Sequence, residues 1–351
     1  MENIRLPNKD TFKYAKQLLN DWEVVVFPTE TVYWIWANAL DTKALSKIFA
    51  LKNRPSNNPL IIHIWDKKEI DQYWIVSNPI EKKIIEKLMP WPITILLPKK
   101  DNIPNLVSSN SFVGIRIPSN SVALDFLQYC KLPIAAPSAN ISTKPSPTSA
   151  NMVYKYFQDN VPLIIDGGNC SVGIESTVLK VDQSVSCNPM WKENCKFSYK
   201  IVIMRPWFIT KEDLEKLFSD NNNILIEYSS NLSNISPWNM YKHYAPSANI
   251  EIITDIPLEL VQEKINLNKK IAFILTEQFI ESNKDVLHKI SDNIELISWW
   301  SREDLISCSQ NLFEIYHKCD QIDIDCIFIE QLKEEWLWFS IMNRVKKSTE
   351  K

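Results

Sequence analysis

The sequence predicts an α/β fold in two domains, and three observations lead to this prediction. Short apolar runs rich in β-branched residues alternate with stretches of helical spacing along most of the 351 residues. This alternation weakens from about residue 216, where Ser- and Asn-rich stretches begin, and it returns after residue 249. We therefore expect a larger domain over 1–210, a linker or lid over 211–248 and a small α/β domain over 249–351.

The larger domain reads as helices interleaved with short strands. Helical spacing of apolar residues predicts helices over 8–20, 41–51, 80–89, 121–129 and 149–157. Apolar, β-branched runs predict strands over 23–27, 60–64, 93–97, 113–117, 134–136, 163–166, 176–181 and 199–204. A polar stretch over 183–198 is most simply an inserted hairpin or loop.

The second domain repeats a shorter unit in which each strand is followed by a helix. The predicted strands are 250–253, 271–275, 294–297 and 326–329, and the predicted helices are 257–265, 279–290 and 302–318. Strands joined through helices favour a parallel sheet with right-handed crossovers. We therefore expect a small Rossmann-like sheet here.

Composition narrows the class of protein. Hydrophobic residues make up 45% and charged residues 23% of the chain, and no run of 18 apolar residues occurs. The N-terminus lacks a cationic, apolar leader, and the seven cysteines show no CxxC spacing. We expect a cytoplasmic protein with free thiols, no structural zinc and no membrane contact. The net charge of −3 argues against strong non-specific nucleic-acid binding.

Several familiar catalytic patterns are missing from the sequence. It contains no GxxxxGK[ST], no GxGxxG and no HExxH, and none of its four histidines accompanies a nucleophile elbow. A phosphate-binding P-loop, a dinucleotide fingerprint and a covalent triad are therefore not expected. Any chemistry must come from another arrangement of polar residues.

The most informative segment runs from Pro28 to His63. Hydroxyls and a carboxylate (Thr29, Glu30 and Thr31) follow a predicted strand, and ligands commonly bind beyond strand ends in α/β sheets. Further on, Lys52 and Arg54 leave a predicted helix together. Such a pair suits a polyphosphate or a carboxylate, although a solvated helix end is an equally good interpretation of this segment alone.

A second set of polar residues follows later strands. Arg116 lies within an apolar strand, so it needs a partner, either in a structural ion pair or in a bound carboxylate. Ser138, Asn140, Ser146 and Thr148 follow strands or precede helices, where they would cap helices or contact phosphate oxygens. All four glycines of the chain also lie in these segments, at 114, 167, 168 and 173.

Tryptophan stands where glycine is expected. The chain has 13 tryptophans and 4 glycines, whereas ordinary usage of about 7% would give roughly 25 glycines. Three tryptophans directly follow proline (Trp91, Trp207 and Trp238), and Trp22 follows an Asn-Asp pair. Pro-Gly and Asp-Gly are turn signatures because glycine supplies a positive φ, which a bulky residue rarely adopts.

We therefore hypothesise that many of these residues are glycine in the cell, because the host decodes UGA as glycine. The alternative is a genuinely Trp-rich protein. Trp34 and Trp36 flank a single isoleucine beside the candidate site. If the hypothesis holds, we expect strained backbone or displaced loops around these two residues, whereas comfortably packed indoles would count against it.

Taken together, the motifs resemble the threonylcarbamoyl-AMP synthase family, the YrdC-like enzymes, in the long two-domain form. The motifs that carry the resemblance, in chain order, are PTETVY, KNRPSNNPLIIHI, VGIRIP, APSANIS, SPTSA, DGG, VGIEST, YKHYAP and IMNRVKK. No single motif is specific, but their combination and order extend over almost the whole chain. The resemblance implies a YrdC-like domain with a twisted mixed sheet, followed by the linker and the small C-terminal domain.

The resemblance also implies an activity. Enzymes of this family combine L-threonine, bicarbonate or CO2, and ATP into threonylcarbamoyl-AMP and pyrophosphate, with Mg2+ bridging the phosphates. Partner proteins then transfer the threonylcarbamoyl group to tRNAs that read ANN codons. The reaction needs no protein nucleophile, which agrees with the missing triad.

Residue roles follow from the same resemblance. Lys52 and Arg54 would be the catalytic cations. The threonine-binding residues would be Thr31, His63, Arg116 and Ser176. The nucleotide-binding residues would be Lys52, Arg54, Asn58, Ser138, Asn140, Ser146, Arg205 and Tyr244. His243 and Tyr244 would form a lid over the nucleotide.

The departures from the family pattern are nearly all of one kind, because each altered glycine at these motifs reads as tryptophan. These positions, together with the turn position Trp22, are Trp22, Trp34, Trp36, Trp91, Trp207, Trp238, Trp336 and Trp338. Drift would scatter the replacements over several residue types, whereas reassignment of one codon would not. The remaining five tryptophans match no motif glycine.

Three other functions remain open at this point. A non-catalytic RNA-binding or ribosome-maturation module of the same fold would need a basic surface, which the pI of about 5.9 disfavours. A carbamoyl-transfer module would normally carry an acylphosphatase domain and zinc-finger cysteines, which the sequence lacks. An inactive enzyme would result if the tryptophans are real and fill the pocket.

Overall fold

The structure is a computed structural model that describes residues 3–183, 198–229, 244–290, 294–299, 301–302, 304–333 and 336–349. Most of the predicted 183–198 insertion lies outside the described residues. So do the lid residue His243 and the motif residue Trp238. The described part contains two sheets with helices packed against them.

The larger sheet has the strand order β1-β8-β2-β3-β7-β4-β6-β5-β9-β10-β11 and mixes parallel with antiparallel pairs. Its strands are β1 (Ile4–Arg5), β2 (Val25–Pro28), β3 (Tyr33–Asn38), β4 (Ile61–His63), β5 (Ile93–Pro98), β6 (Phe112–Arg116), β7 (Ile134–Ala136), β8 (Ile164–Ile165), β9 (Thr177–Gln183), β10 (Tyr199–Arg205) and β11 (Ile224–Tyr228). The expected mixed sheet is therefore confirmed.

Helices cover both faces of this sheet. They are α1 (Lys9–Asn20), α2 (Thr42–Lys52), α3 (Ile70–Tyr73), α4 (Pro79–Leu88), α5 (Ser121–Cys130), α6 (Ala150–Phe157) and α7 (Lys211–Leu217). Side chains of α2, α4 and α6 pack in the core on one face, and those of α1 and α5 pack on the other. Polar caps define several helix starts; for example, Asp41 accepts from two backbone N–H groups at the start of α2.

The second sheet is parallel throughout, in the order β12-β15-β13-β14. Its strands are β12 (Asn249–Ile253), β13 (Ile271–Leu275), β14 (Ile294–Ser298) and β15 (Cys326–Glu330). Its helices are α8 (Leu258–Asn266), α9 (Glu277–Ser282), α10 (Lys284–Ile290), α11 (Leu305–Gln321) and α12 (Trp336–Thr349). The expected parallel β-α domain is confirmed, with the predicted helix 279–290 divided between α9 and α10.

Two elements lie inside the region that the sequence assigned to a linker over 211–248. Helix α7 and strand β11 both belong to the larger domain, and β11 pairs in parallel with β10. The large sheet therefore extends to Tyr228 instead of ending near residue 210. The apolar run Ile224–Ile226 has only three residues and follows an Asn-rich stretch, so the sequence pattern did not indicate a strand there.

Contacts join the two domains next to the loop that precedes β9. Ser309 on α11 donates to the carbonyl of Val172, and Gln310 donates to that of Ser171. Gly173 has a φ of +87°, and a Cβ on it would stand 2.3 Å from the Cα of Gln310. Only glycine fits this close approach, so the loop and α11 pack directly backbone to backbone.

None of the helices in the described part of the chain combines the length and the apolar character needed to cross a bilayer.

Candidate active site

The C-terminal end of α2 places Lys52 inside the protein. The helix stops because Asn53 adopts a left-handed conformation, with φ 51° and ψ 43°, so the chain turns away after Lys52. Lys52 is 1% exposed, and its Nζ donates to the carbonyls of Ser138 (2.5 Å) and Asn140. Burial and the nearby Arg54 charge hold the pKa of Lys52 well below its usual value.

The loop after β7 is built around Asn140. Its Nδ2 donates to the carbonyls of Ile141 (2.9 Å) and Lys144 (2.7 Å), and its Oδ1 accepts from Ser138 Oγ at 2.5 Å. The predicted Ser138/Asn140 pair therefore shapes the loop that Lys52 holds. Lys52 and these two residues form one network.

Arg54 is fixed by the loop that follows α2. Its Nη2 donates to Asn58 Oδ1 at 2.7 Å and to the carbonyl of Pro59 at 2.8 Å. Burial lowers the pKa of Arg54 to about 9, which leaves the guanidinium charged at neutral pH. The charge lies beside the Lys52 network and has no carboxylate partner among the described ion pairs.

These segments enclose one cavity of about 170 Å³, which we call the Lys52 cavity. Six predicted nucleotide-site residues line it: Lys52, Arg54, Asn58, Ser138, Asn140 and Tyr244. Trp34 and Glu175 also line it. Of the remaining predicted nucleotide residues, Ser146 and Arg205 are not among its lining residues.

Tyr244 is the first residue described after the gap over 230–243, and it lies over this cavity. It is 9% exposed, with a φ of 62°, and its ring stacks on Phe313 of α11 at a centroid distance of 5.3 Å. Burial raises the pKa of Tyr244 to about 12, so the hydroxyl keeps its proton. The predicted lid residue thus joins the Lys52 cavity to the C-terminal domain.

A buried carboxylate that the sequence analysis did not single out connects this site to the end of the chain. Glu175 accepts from Ser146 Oγ at 2.5 Å, and its Oε2 lies 3.8 Å from Arg344 Nε. Arg344, on α12, is fully buried and also donates to the backbone carbonyls of Glu175 and Pro206. The terminal IMNRVKK motif was the sequence signal for Arg344, but the motif alone gave it no role.

A second polar group lies deeper in the sheet, around Arg116. Its Nη2 donates to Glu30 Oε1 at 2.6 Å and to Thr31 Oγ1 at 2.8 Å. Glu30 also accepts from the backbone N–H groups of Ser119 and Asn120. Arg116 is thus in a structural ion pair, while its Nε and Nη1 atoms remain without a hydrogen-bond partner among the described residues.

His63 is the register neighbour of Arg116 on the adjacent parallel strand. Its ring is fully buried, and neither ring nitrogen has a hydrogen-bond partner of good geometry in the described part of the chain. Burial, then the Arg116 charge, holds the pKa of His63 well below its usual value, and the backbone at Ile61 and Ile134 opposes this shift. His63 is therefore neutral.

Two indoles occupy the space in front of His63 and Arg116, which we call the Arg116 pocket. Trp36 stacks on His63 at 5.6 Å between ring centroids, and Trp34 meets the same ring edge-on at 4.9 Å. The Arg116 guanidinium lies 5.3 Å from the centroid of Trp34. Trp34 also lines the Lys52 cavity, so its indole stands between the two sites.

Ser176 belongs to a third network. Its Oγ is 2.8 Å from Thr94 Oγ1 and accepts from Arg205 Nη2 at 3.1 Å. Arg205 Nε also donates to the Ser176 carbonyl. The predicted threonine group is therefore divided, with Thr31, His63 and Arg116 together and Ser176 on Arg205.

The backbone around the tryptophans differs in part from expectation. Trp22 has a φ of 62°, a conformation that favours glycine. Trp34 and Trp36, however, lie in regular strand β3, paired with Phe27 and Val25 of β2, so the expected backbone strain there is wrong. Trp91 and Trp207 also lack a positive φ. Among the described turn positions, a positive φ is therefore found at Trp22 and not at Trp91 or Trp207. The regular strand and the buried indoles at Trp34 and Trp36 count against the part of the glycine hypothesis that rests on strain.

Two family profiles together match most of the chain. One described as "Telomere recombination" matches residues 17–187. Another described as "Threonylcarbamoyl-AMP synthase, C-terminal domain" matches residues 209–349. These two regions correspond to the larger domain and to a stretch that runs from α7 through the C-terminal domain.

Relatives of known name resemble the chain over nearly its whole length. A threonylcarbamoyl-AMP synthase of Pyrococcus abyssi is 32% identical over 350 residues, covering 96% of this chain and 93% of that protein. The same enzyme of Bacillus subtilis is 32% identical over 346 residues, covering 97% and 93%.

Solved structures give the same result for the fold. The crystal structure of P. abyssi Sua5 complexed with L-threonine superposes with a TM-score of 0.80 and 29% identity, covering 99% of this chain and 96% of that one. A double-alanine variant of the same protein superposes with a TM-score of 0.78.

Proposed function

The chain belongs to the threonylcarbamoyl-AMP synthase family, and we propose that ATP meets the carbamate of L-threonine in its Lys52 cavity. The protein is a nucleotidyltransferase that forms threonylcarbamoyl-AMP and releases pyrophosphate. This product is the first intermediate in making threonylcarbamoyladenosine in tRNAs that read ANN codons. Its substrates are L-threonine, bicarbonate or CO2, and ATP.

One observation carries the nucleotide assignment: separate segments of the chain bring two cations and several hydroxyl and amide groups to a single cavity. Lys52 and Arg54 come from the end of α2, Ser138 and Asn140 from the loop after β7, and Tyr244 from beyond the gap. A polyphosphate needs this combination of a point charge, a planar fork and polar groups. Catalysis then rests on position and on charge matched to the phosphates.

The reaction divides into two bond-forming steps. The amine of threonine attacks the carbon of bicarbonate, water leaves, and a carbamate forms. A carbamate oxygen then attacks the α-phosphorus of ATP, and the bond from that phosphorus to the β-phosphate oxygen breaks. Pyrophosphate carries away the negative charge, and Lys52 and Arg54 stabilise it as it develops.

Bound phosphates would also act on the charge of Lys52. Burial and then the Arg54 charge lower the pKa of Lys52. Phosphate charge beside Nζ would raise that pKa again and so favour the ammonium form during the reaction.

The amino-acid side of the site centres on Arg116. Its Nε and Nη1 atoms lack hydrogen-bond partners among the described residues and are the donors left for the threonine carboxylate, while Nη2 stays on Glu30. Thr31 and the neutral His63 contribute further polar groups. Ser176, held by Arg205, lies on the loop that leads from Glu175 into β9.

Bound Mg2+ would supply positive charge that offsets the ATP phosphates. Within the described part of the chain, no three His, Cys, Asp or Glu residues gather as a metal site. Mg2+ normally keeps several waters and needs only one or two carboxylates besides substrate phosphates. Glu175, in the wall of the cavity, is the carboxylate best placed to serve it.

Tyr244, which lines the Lys52 cavity, acts as a lid that shields the labile carbamate and adenylate from water. The predicted second lid residue, His243, lies outside the described residues. The enzyme works in the cytoplasm and passes its product to tRNA-modification proteins, with at most weak contact to RNA.

The test is an assay of AMP-adduct formation from radiolabelled ATP with L-threonine and bicarbonate. We expect adduct and pyrophosphate in equal amounts, and none when either co-substrate is omitted. Tight RNA binding without ATP, with no adduct in any form of the protein, would instead favour the non-catalytic RNA-binding module.

A further inference from the structure

We propose that Trp34 and Trp36 fill the amino-acid pocket of this enzyme, and that the working enzyme carries glycine at both positions. The inference rests on the proposed function, because it assigns the Arg116 pocket to the amino acid.

Strand geometry sends both indoles to the same side of the sheet. Residues two apart in a strand face the same way, so Trp34 and Trp36 share one face while Ile35 points to the other core. The strand between β3 and β4 is β7, which presents the small Ala136 on that face. Because the alanine side chain is small, the indoles extend across β7 and reach His63.

The groups beneath the indoles are polar and lack partners. Within the described residues, no hydrogen bond of good geometry is made by either ring nitrogen of His63, by Nε and Nη1 of Arg116, or by Nε1 of Trp36. Each of these residues is fully buried. Leaving a buried polar group unpaired costs about 1–3 kcal/mol. Five such atoms in one cluster therefore lower the stability of the folded protein.

A small polar ligand would satisfy this cluster better than an indole does. An α-amino acid offers a carboxylate to the unpaired Nε and Nη1 donors of Arg116 and further polar groups to His63 and Thr31. Each tryptophan offers one N–H: that of Trp34 donates to Thr29 Oγ1 at 3.0 Å, and that of Trp36 finds no acceptor among the described residues, so the indoles leave His63 and Arg116 without partners. The residues around the pocket are therefore built for a different occupant from the one they hold.

The size of the adjacent cavity agrees with this reading. The Lys52 cavity measures about 170 Å³, whereas pockets that enclose drug-sized ligands measure roughly 300–1,000 Å³. Trp34 forms part of its wall and also contacts the Arg116 pocket. Removing this indole joins the two spaces, which the attack of a carbamate on the α-phosphorus requires.

Glycine is the residue that such a strand position calls for. In a strand interior it weakens packing, and it often marks the place where a ligand approaches the backbone closely. The regular backbone of β3 is therefore no obstacle, since glycine serves here by its missing side chain and not by a positive φ. The conformation of Trp22, at φ 62°, independently shows a tryptophan where glycine is favoured.

An unpartnered indole is not by itself the distinguishing feature, because Nε1 of Trp74 and of Trp207 also lacks a partner among the described residues; what distinguishes Trp34 and Trp36 is their contact with His63 and Arg116. Trp299 donates Nε1 to the carbonyl of Cys308 at 2.9 Å in the C-terminal core. Trp74 is 1% exposed, at the end of α3 in the larger domain, and it lies in neither site. Trp74→Gly is thus a matched control that removes a buried indole far from the Arg116 pocket.

The experiment is calorimetric titration with L-threonine, and separately with a non-hydrolysable ATP analogue plus Mg2+. Four full-length proteins are compared: the tryptophan form, the double variant Trp34→Gly/Trp36→Gly, the alanine pair Trp34→Ala/Trp36→Ala, and Trp74→Gly. We expect the two-glycine form to bind threonine at least about 100-fold more tightly than the tryptophan form, as between millimolar and ten-micromolar dissociation constants. Trp74→Gly should bind threonine no better than the tryptophan form.

The nucleotide titration separates the possible failures. If the two-glycine or alanine form binds the ATP analogue, and so is folded, but does not gain threonine binding, the inference is overturned. Equal threonine binding by the tryptophan form also overturns it. If every form that remains folded, as judged by circular dichroism, binds neither ligand, the proposed function itself fails.

Discussion

Two neighbouring polar sites flank strand β3, and they differ in what they contain. The Lys52 cavity keeps open space around Lys52 and Arg54. The Arg116 pocket has an equally polar lining but is filled by the indoles of Trp34 and Trp36. The two sites share one wall, the side chain of Trp34.

The difference shows that polar residues alone do not make a binding site. Lys52 is tied to backbone carbonyls, so its network is satisfied before any ligand arrives. Arg116 and His63 keep buried nitrogens without partners in the described protein, because aromatic rings stand where polar atoms are needed. Volume at two strand positions therefore decides whether the second site functions.

The largest expected effect is a loss of activity from substitutions in the Lys52 cavity. In the two-glycine form, we expect Lys52→Ala or Arg54→Ala to lower the rate of threonine-dependent pyrophosphate release by about 10²–10³-fold each, the usual cost of removing one group that stabilises transition-state charge. The control is Lys47→Ala on the same helix, whose pair with Glu23 is partly exposed and should matter little. Full activity in both cavity variants would refute their assignment.

The next effect concerns Arg116, which lines the pocket that the two indoles fill, and it is measured as a change in the free energy of unfolding. Arg116→Ala leaves Glu30 buried without its cation, so the free energy of unfolding should fall by about 3–5 kcal/mol in chemical denaturation. Arg116→Lys keeps the charge but loses the Nε and Nη1 donors, and it should recover much of the stability while threonine binding by the two-glycine form stays weak. Tight threonine binding by Arg116→Lys would contradict the role of these donors.

A pair of glycine variants tests the loop that leads to Glu175 and Ser176. Gly168 and Gly173 both have positive φ, but a Cβ would meet nothing within 4 Å at Gly168 and the Gln310 backbone at Gly173. We expect Gly168→Ala to cost about 1–2 kcal/mol from strain alone. Gly173→Ala should cost more, measured by thermal unfolding, because α11 must also move away. Equal costs would mean that this domain contact contributes nothing.

The smallest effect is a pH dependence that comes from the filled pocket. The pKa of His63 is lowered in the folded protein, so the unfolded chain binds more protons as pH falls below about 6.5. Its contribution to stability is therefore complete above that pH and is lost as pH falls, at up to about 1.4 kcal/mol per pH unit. His63→Phe should flatten the slope of unfolding free energy between pH 7 and 5.5.

His317 offers the matched comparison for this slope. Burial lowers its pKa to about 4, so it acts in the same direction from a different place, beside Tyr156. His317→Phe should remove its own share of the slope and leave that of His63. An unchanged slope in His63→Phe would contradict a buried, neutral His63.

Most of the fold could be predicted from the sequence because its apolar runs are short, regular and separated by polar turns. Strand β13 and strand β7 have the predicted bounds. Strand β3 was missed, because Trp34 and Trp36 were interpreted as glycine positions with strained backbone and no strand was predicted after residue 27 until residue 60. Strand β11 was missed because its three apolar residues directly follow an Asn-rich stretch, which is typical of a loop.

The site was predictable where a motif names a residue, but its connections were not. Lys52, Arg54, Ser138 and Asn140 were expected and do line one cavity. The links made by Glu175 and Arg344 join residues far apart in sequence, and no spacing reveals them. Nor could residue spacing show that the indole of Trp34 would separate the two sites.

The central claim is that the working enzyme has glycine in strand β3, and a mass measurement tests it directly. Trypsin releases the peptide of residues 17–43, which carries Trp22, Trp34 and Trp36. In protein purified from the organism that encodes this chain, the account predicts a peptide mass and fragment series with glycine at positions 34 and 36. A fragment series with tryptophan at both positions would contradict it.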